Sequence, residues 1–281
     1  MIESLPAIRR AIREATGSTV DAAPEPVGGG CIHRAFRIGP FFVKINRPDC
    51  AAMFEAEADG LRAIAATRTI RVPEPIATGS DVRSAFLVLE WLDLRGAGDD
   101  ADLGEQLAAM HGHPGQKYGW ERDNFIGSTP QSNDAAEDWA GFFRDRRLAP
   151  MFQALAGRGM RIAGAEALLE RVPALLAGIN PRPSLLHGDL WGGNAGFLRD
   201  GTPVIYDPAL YRGHHEADLA MTRLFGGFGA RFYQAHRAVL PAEPGHEQRT
   251  TLYNLYHILN HALLFGGGYT SQAQAIVRSL A

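Results

Sequence analysis

The sequence predicts an α+β chain of two lobes, a small antiparallel sheet with one helix followed by a larger, mainly helical lobe. Three observations predict this. The chain has 281 residues, long for one hydrophobic core and a natural length for two. Its first third carries three short apolar or alternating runs bounded by Gly and Pro, the pattern of strands. Beyond residue 92, apolar residues recur mostly at helical spacing. The expected lobes are therefore 1–92 and 93–281.

Each element follows in order. In LPAIRRAIREAT, Leu5, Ile8 and Ile12 share one helical face, with Ser4 as cap, Pro6 in the first turn and Gly17 as stop. DAAPEPVGGG reads as a connector. CIHRAFRI and GPFFVKIN read as strands joined at Gly39-Pro40. In the second strand Phe41, Val43 and Ile45 face one way and Phe42 and Lys44 the other. Residues 51–66 read as a helix with Met53, Ala56, Ala58, Leu61 and Ile64 in a stripe. VPEPIATGS, with two prolines, reads as a loop. SAFLVLEWL reads as a strand buried on both faces. Then DLGEQLAAMH reads as a helix with Leu103, Leu107 and Met110 inward, 114–134 as loop, and 136–156 and 164–178 as helices. SLLHGDLWGGNAGFLRDGTPVIYDPA alternates strands with turns, and the chain from about 216 onward is mostly helical.

Composition narrows the function. A net charge of −3 gives no general attraction to nucleic acid. No run of eighteen apolar residues predicts a membrane span, and the N-terminus lacks the apolar core of a signal peptide. Two cysteines, Cys31 and Cys50, are too few for a disulfide framework, and without CxxC they suggest no cysteine-based zinc site. A cytoplasmic protein with neither nucleic-acid nor membrane partners is expected. Only Lys44 and Lys117 are lysines, against 26 arginines. A lysine kept in such a chain marks a site that wants a compact ammonium.

The chemistry-bearing residues come in a fixed order. Gly28, Gly29 and Gly30 open the first strand, where bare backbone amides can approach phosphate oxygens. Lys44 lies inside an apolar strand and needs a partner. Glu55 and Glu57 follow on the helix, two apart and on different sides; Glu57 borders the buried stripe and is the better partner. HGDLWGGN places Asp189 five residues before Asn194, and Asp207 follows an apolar strand in VIYDPA. A Gly-rich turn, strand Lys, helix Glu, loop Asp, Asn and a further Asp are the parts of a kinase phosphoryl-transfer site. Lys44 would grip the α and β phosphates of ATP. Asn194 and Asp207 offer hard oxygens to Mg2+, and Asp189 can accept a hydroxyl proton.

GGGCIHRAF, FFVKIN, NFIGSTPQSN, DWAGFFRDRRL, HGDLWGGN, YDPALYRGHHEADLAMTRLFGGF and LYNLYHILNHALLFGGGY together resemble the fructosamine kinases, or ketosamine-3-kinases. That family belongs to the aminoglycoside-phosphotransferase-like and choline-kinase-like enzymes. The resemblance spans nearly the whole chain and implies a protein-kinase-like fold. It implies ATP-dependent phosphorylation of the 3-hydroxyl of a ketosamine, a free sugar–amine adduct or a glycated amino acid or protein, which then releases the amine. Microbial relatives point to ribulosamines. Carried over by position, Asp189 is the base, Asn194 and Asp207 are metal ligands, Lys44 and Glu57 are the phosphate-gripping pair, and Glu90 to Leu92 is the adenine hinge. His187, Trp191 and His215 are substrate-side candidates.

Two positions depart from the family pattern. His215 stands where Arg is frequent, and Gly192 where Ser is frequent. Cys31 matches a cysteine associated with redox-sensitive dimers, so a monomer or a redox-dependent homodimer is implied. Trp120, Phe125 and Trp139 read equally as sugar-stacking or packing residues. His257 and His261, four apart, lack a third metal ligand. Two alternatives share the fold: an aminoglycoside- or amino-alcohol-type phosphotransferase, and an inactive nucleotide-binding regulator. Intact Lys44, Asp189, Asn194 and Asp207 argue against the last.

Overall fold

Five antiparallel strands in the order β1-β2-β3-β5-β4 form the sheet of the first unit in a computed structural model that describes residues 2–28 and 32–280. The strands are β1 (Glu25–Val27), β2 (Arg34–Ile38), β3 (Phe41–Asn46), β4 (Pro75–Ser80) and β5 (Ala85–Glu90). β3 is central, with Lys44 opposite Ala35 of β2 and Leu87 of β5. β5 is buried on both faces, as its continuous apolar run requires. β4 is the departure from the sequence reading, which made 72–80 a loop. It pairs only with β5 and is an edge strand, where a leading proline removes no ladder bond.

Two helices accompany the sheet. α1 (Leu5–Thr16) buries Ile8 and Ile12 completely among Phe36, Val43, Phe86 and Val88. Each such side chain contributes roughly 1.5–3 kcal/mol of burial. α1 ends at Gly17, whose left-handed backbone lets its N–H close on the Arg13 carbonyl. α2 (Ala51–Thr67) buries Phe54, Ala56, Ala58, Leu61 and Ile64.

The first compact unit comprises residues 1–99 and 195–208, the second 100–194 and 209–281. The hairpin of β9 (Ala195–Phe197) and β10 (Pro203–Ile205) thus packs with the sheet-bearing unit. Ile205 N–H donates to the Arg71 carbonyl, and Gly96 N–H to that of Phe197.

In the second unit, α3 (Asp100–His111) turns Leu103, Leu107 and Met110 fully inward. Gly104 lets it lie close to a later helix: a Cβ there would fall 2.2 Å from the Phe232 carbonyl oxygen. Residues 114–134 contain a hairpin that the loop reading did not predict, β6 (Asn124–Ile126) with β7 (Thr129–Gln131). A helical stretch follows, α4 (Trp139–Phe142), one wide turn, then α5 (Ala149–Gly157). α6 (Ala165–Leu175) precedes β8 (Ser184–Leu186), which pairs with β11 (Tyr211–Gly213). α7 (His215–Leu224), α8 (Ala230–Val239), α9 (His246–Phe265) and α10 (Gly268–Leu280) complete the unit. Its core gathers Trp139, Phe142, Phe143, Tyr253, Leu255 and Leu259. No helix of the described residues is long and apolar enough to cross a membrane.

Candidate active site

The first unit builds a buried ammonium between two carboxylates. Alternation along β3 aims Lys44 away from Val43 and Ile45, and α2 covers the face it enters. Lys44 Nζ donates to Glu57 Oε1 at 2.7 Å and to Asp207 Oδ1 at 2.6 Å. Burial alone would drive off its proton, but the Asp207 and Glu57 charges outweigh that and hold its pKa above the ordinary value. Burial pushes the Glu57 carboxyl up to about 7, against the attraction of Lys44. Glu55, one helical face away, is exposed.

Asp207 adopts φ 60°, a left-handed backbone rare for a residue with a side chain. Such a conformation costs of order 1–3 kcal/mol and persists only where its surroundings fix it. Here the ion pair to Lys44 and the β10 strand that precedes it do so.

At the end of β5, Glu90 N–H donates to the Glu74 carbonyl and Trp91 N–H to that of Pro40. The Leu92 N–H carries no hydrogen bond among the described residues. The Glu90 carboxylate pairs with Arg71. Gly28 is exposed, with open space where a Cβ would sit. Gly29, Gly30 and Cys31 lie outside the described residues.

The second unit carries the HGDLWGGN loop between β8 and a short helical turn, Gly192–Asn194. Gly188 has φ 83°, and a Cβ on it would fall 2.1 Å from the Ala209 carbonyl oxygen, so this position demands glycine. Leu190 is fully buried and anchors the loop. Asn194 Nδ2 donates to the Asp189 carbonyl at 2.8 Å and lies 3.5 Å from Asp189 Oδ2. With its amide nitrogen engaged, Asn194 keeps Oδ1 without a hydrogen bond among the described residues. Amide and carboxylate oxygens are of the hard type that a divalent cation takes.

The structure adds a residue that periodicity could not single out. Asp218 of α7 is buried, and its Oδ2 accepts the His187 N–H at 2.7 Å while Oδ1 accepts the Gly188 N–H at 2.8 Å. His111 Nε2 lies 3.0 Å from the same Oδ2. Burial raises the Asp218 pKa and these bonds lower it; the net direction is down. A carboxylate thus clamps the two peptide groups just before Asp189. Ala209 N–H closes the other side by donating to the His187 carbonyl.

The substrate-side candidates separate. Trp191 is 37% exposed and packs edge-on against Phe225. The expectation that His187 meets substrate does not fit a ring with no exposed surface. Its Nδ1 instead accepts the Asp189 N–H at 3.3 Å. His215 stacks on His236 with its Nε2 buried, and burial lowers its pKa to about 3. Trp139 is a packing residue, its indole N–H donating to the Tyr253 hydroxyl. His214, His215 and Glu216 bring possible metal-ligand atoms within 4.8 Å of one another. Both Glu216 oxygens are taken by the Arg249 guanidinium, however, and that cation repels a second one.

Residues 4–281 match the profile of the fructosamine kinase family. A Synechocystis sp. protein named "Probable ketoamine kinase" is 48% identical over 259 residues, covering 90% of this chain and 88% of its own. The Arabidopsis thaliana chloroplastic protein-ribulosamine 3-kinase is 43% identical over 262 residues, covering 89% and 80%. The crystal structure named "Putative fructosamine-3-kinase" from Haemophilus somnus superposes with a TM-score of 0.92 at 30% identity, covering 97% of this chain and 96% of that one. With its kinase-like α+β architecture and this match over nearly its full length, the chain belongs to the fructosamine kinase family.

Proposed function

We propose that the protein is an ATP-dependent kinase that phosphorylates the 3-hydroxyl of ketosamines, with ribulosamines its preferred class, and so initiates deglycation of amines. Family membership over residues 4–281 is the observation that carries this reading. The ribulosamine preference is supported by the name of the Arabidopsis relative. For the aminoglycoside alternative, the likeness to a solved aminoglycoside phosphotransferase at 16% identity supports a shared fold alone, and the inactive alternative would have to explain an intact set of acid, amide and lysine groups.

In this reading Lys44, fixed by Glu57, binds the phosphate chain of ATP, and the free Leu92 N–H with the backbone of Glu90 receives adenine. Gly28, Gly29 and Gly30 would supply the bare backbone amides for the phosphates. Asp207 and Asn194 would hold Mg2+, which neutralises charge on the phosphate oxygens when bound. Asp189 accepts the proton of the substrate 3-hydroxyl as that oxygen bonds to the γ-phosphorus. The bond from that phosphorus to the bridging oxygen breaks, and ADP leaves. Asp218 keeps the loop backbone fixed so that Asp189 is presented in one geometry. Trp191 offers an exposed ring to the sugar or its amine. Cys31 is the residue on which a redox-dependent dimer would rest.

The test is ADP release from MgATP with ribuloselysine, fructoselysine and an aminoglycoside in parallel. Turnover is expected with both ketosamines, and kcat/KM is expected to be higher for ribuloselysine. Turnover with the aminoglycoside alone would replace the substrate assignment.

A further inference from the structure

His33 has no role in the site as described, yet it stands just before β2 on the face that carries Lys44. The register shows this. Ala35 opposes Lys44, so two residues back along the chain His33 comes opposite Asn46. Lys44 and Asn46 are two apart on β3 and share a face. The Asn46 amide nitrogen lies 2.8 Å from His33 Nδ1 and 3.1 Å from the Ile32 carbonyl.

The proton on the imidazole can be placed. Asn46 Oδ1 accepts the Arg47 N–H at 2.8 Å, which fixes the amide with its oxygen toward that donor. Its Nδ2 therefore faces His33, and Nδ1 of the ring is an acceptor. A neutral ring in that state carries its hydrogen on Nε2. Burial and the Lys44 ammonium lower the His33 pKa to about 4, against the attraction of Asp207, so the ring is neutral at physiological pH. One side of the ring packs on Phe54, with centroids 4.8 Å apart. The Nε2–H has no acceptor among the described residues, yet it is not a buried orphan. A half-buried donor that feels the fields of Lys44 and Asp207 is placed to meet an anionic oxygen.

We propose that His33 is a nucleotide-phosphate ligand: its Nε2–H donates to an oxygen of the phosphate chain gripped by Lys44, and Asn46 holds the ring in the donating tautomer. This rests on the ATP-dependent reading above. A neutral donor adds a directed bond without adding a second fixed cation beside Lys44.

The experiment measures binding of ATP and of adenosine to the full chain by calorimetry with Mg2+ present. The variants are His33→Phe, which keeps a ring and loses the donor, and His33→Gln, whose amide can restore it. His33→Ala is a second donor-less variant should His33→Phe fail to fold, as judged by its thermal unfolding. Loss of one hydrogen bond to a charged group is expected to weaken ATP binding about tenfold or more. Adenosine affinity should stay within about twofold, and His33→Gln should recover most of the ATP affinity. ATP affinity unchanged in the donor-less variant, or equal losses for ATP and adenosine, would overturn the proposal. A wild-type chain that binds no ATP would instead overturn the kinase reading, and His33's role with it.

Discussion

Lys44 shows how one residue can be read ahead of its surroundings. Its scarcity among arginines and its place in an apolar strand both mark it, and the structure sets its ammonium between Glu57 and Asp207. The energetics are lopsided. A buried pair gains little over well-packed apolar side chains, but removing one partner strands the other. In Lys44→Met, Glu57 loses its cation, so a carboxyl already pushed to about 7 by burial moves further up. A folded-state carboxyl pKa raised above its unfolded value stabilises the fold at low pH, and that stability is lost as pH rises toward the folded value. The deficit of Lys44→Met, measured by urea unfolding, should therefore be larger at pH 8 than at pH 6, by up to about 1.4 kcal/mol per pH unit. Adding Glu57→Gln should flatten that difference. Equal deficits at both pH values would show that Glu57 is not held by Lys44.

Elements were legible where local pattern and tertiary role coincide. α1, α2, α3, β3 and β5 follow their periodicities, and the glycines of HGDLWGGN announce a forced turn that Gly188 fulfils. β4 was hidden by Pro75 and Gly79, since an edge strand tolerates residues that a central strand would not. The β6–β7 hairpin was hidden because each strand has only three residues. It is held by buried amides: Gln131 donates to Asn124 Oδ1 and to the Ala209 carbonyl, and Asn124 to that of Leu210. Such long-range polar bonds leave no period in the sequence. Asp218 was invisible for the same reason, since an acidic residue on a helix ordinarily reads as solvated. Asp218→Asn replaces one acceptor with an amide that faces N–H donors. It should lower kcat about a hundredfold through misplacement of the loop, with little change in the KM for ATP. A variant with normal kcat and a lowered melting temperature would make Asp218 a purely structural residue.

At the scale of the whole molecule, the order of motifs carried more information than any element boundary. A Gly-rich turn, strand lysine, helix glutamate and loop Asp-Asn-Asp set pointed to phosphoryl transfer before any packing was known. The profile match over 4–281 places the chain in one family. The chain order does not reveal its division into units. Residues 195–208, which include Asp207, pack with the sheet, while Asp189 and Asn194 belong to the helical unit. The reason is the backbone bonds from Ile205 to Arg71 and from Gly96 to Phe197, with the Arg199 side-chain bond to Asp93. Hydrophobic pattern alone cannot foresee those links. Nor does it reveal the substrate.

The most direct test of the account is the fate of ribuloselysine with MgATP, followed by phosphorus NMR in the wild type and in Asp189→Asn. The account predicts a new phosphate ester on the sugar 3-oxygen in the wild type. In the variant it predicts a rate lower by about two to four orders of magnitude, with ATP affinity nearly unchanged. A variant that still turns over at the wild-type rate, or a wild type that phosphorylates no ketosamine, would contradict it.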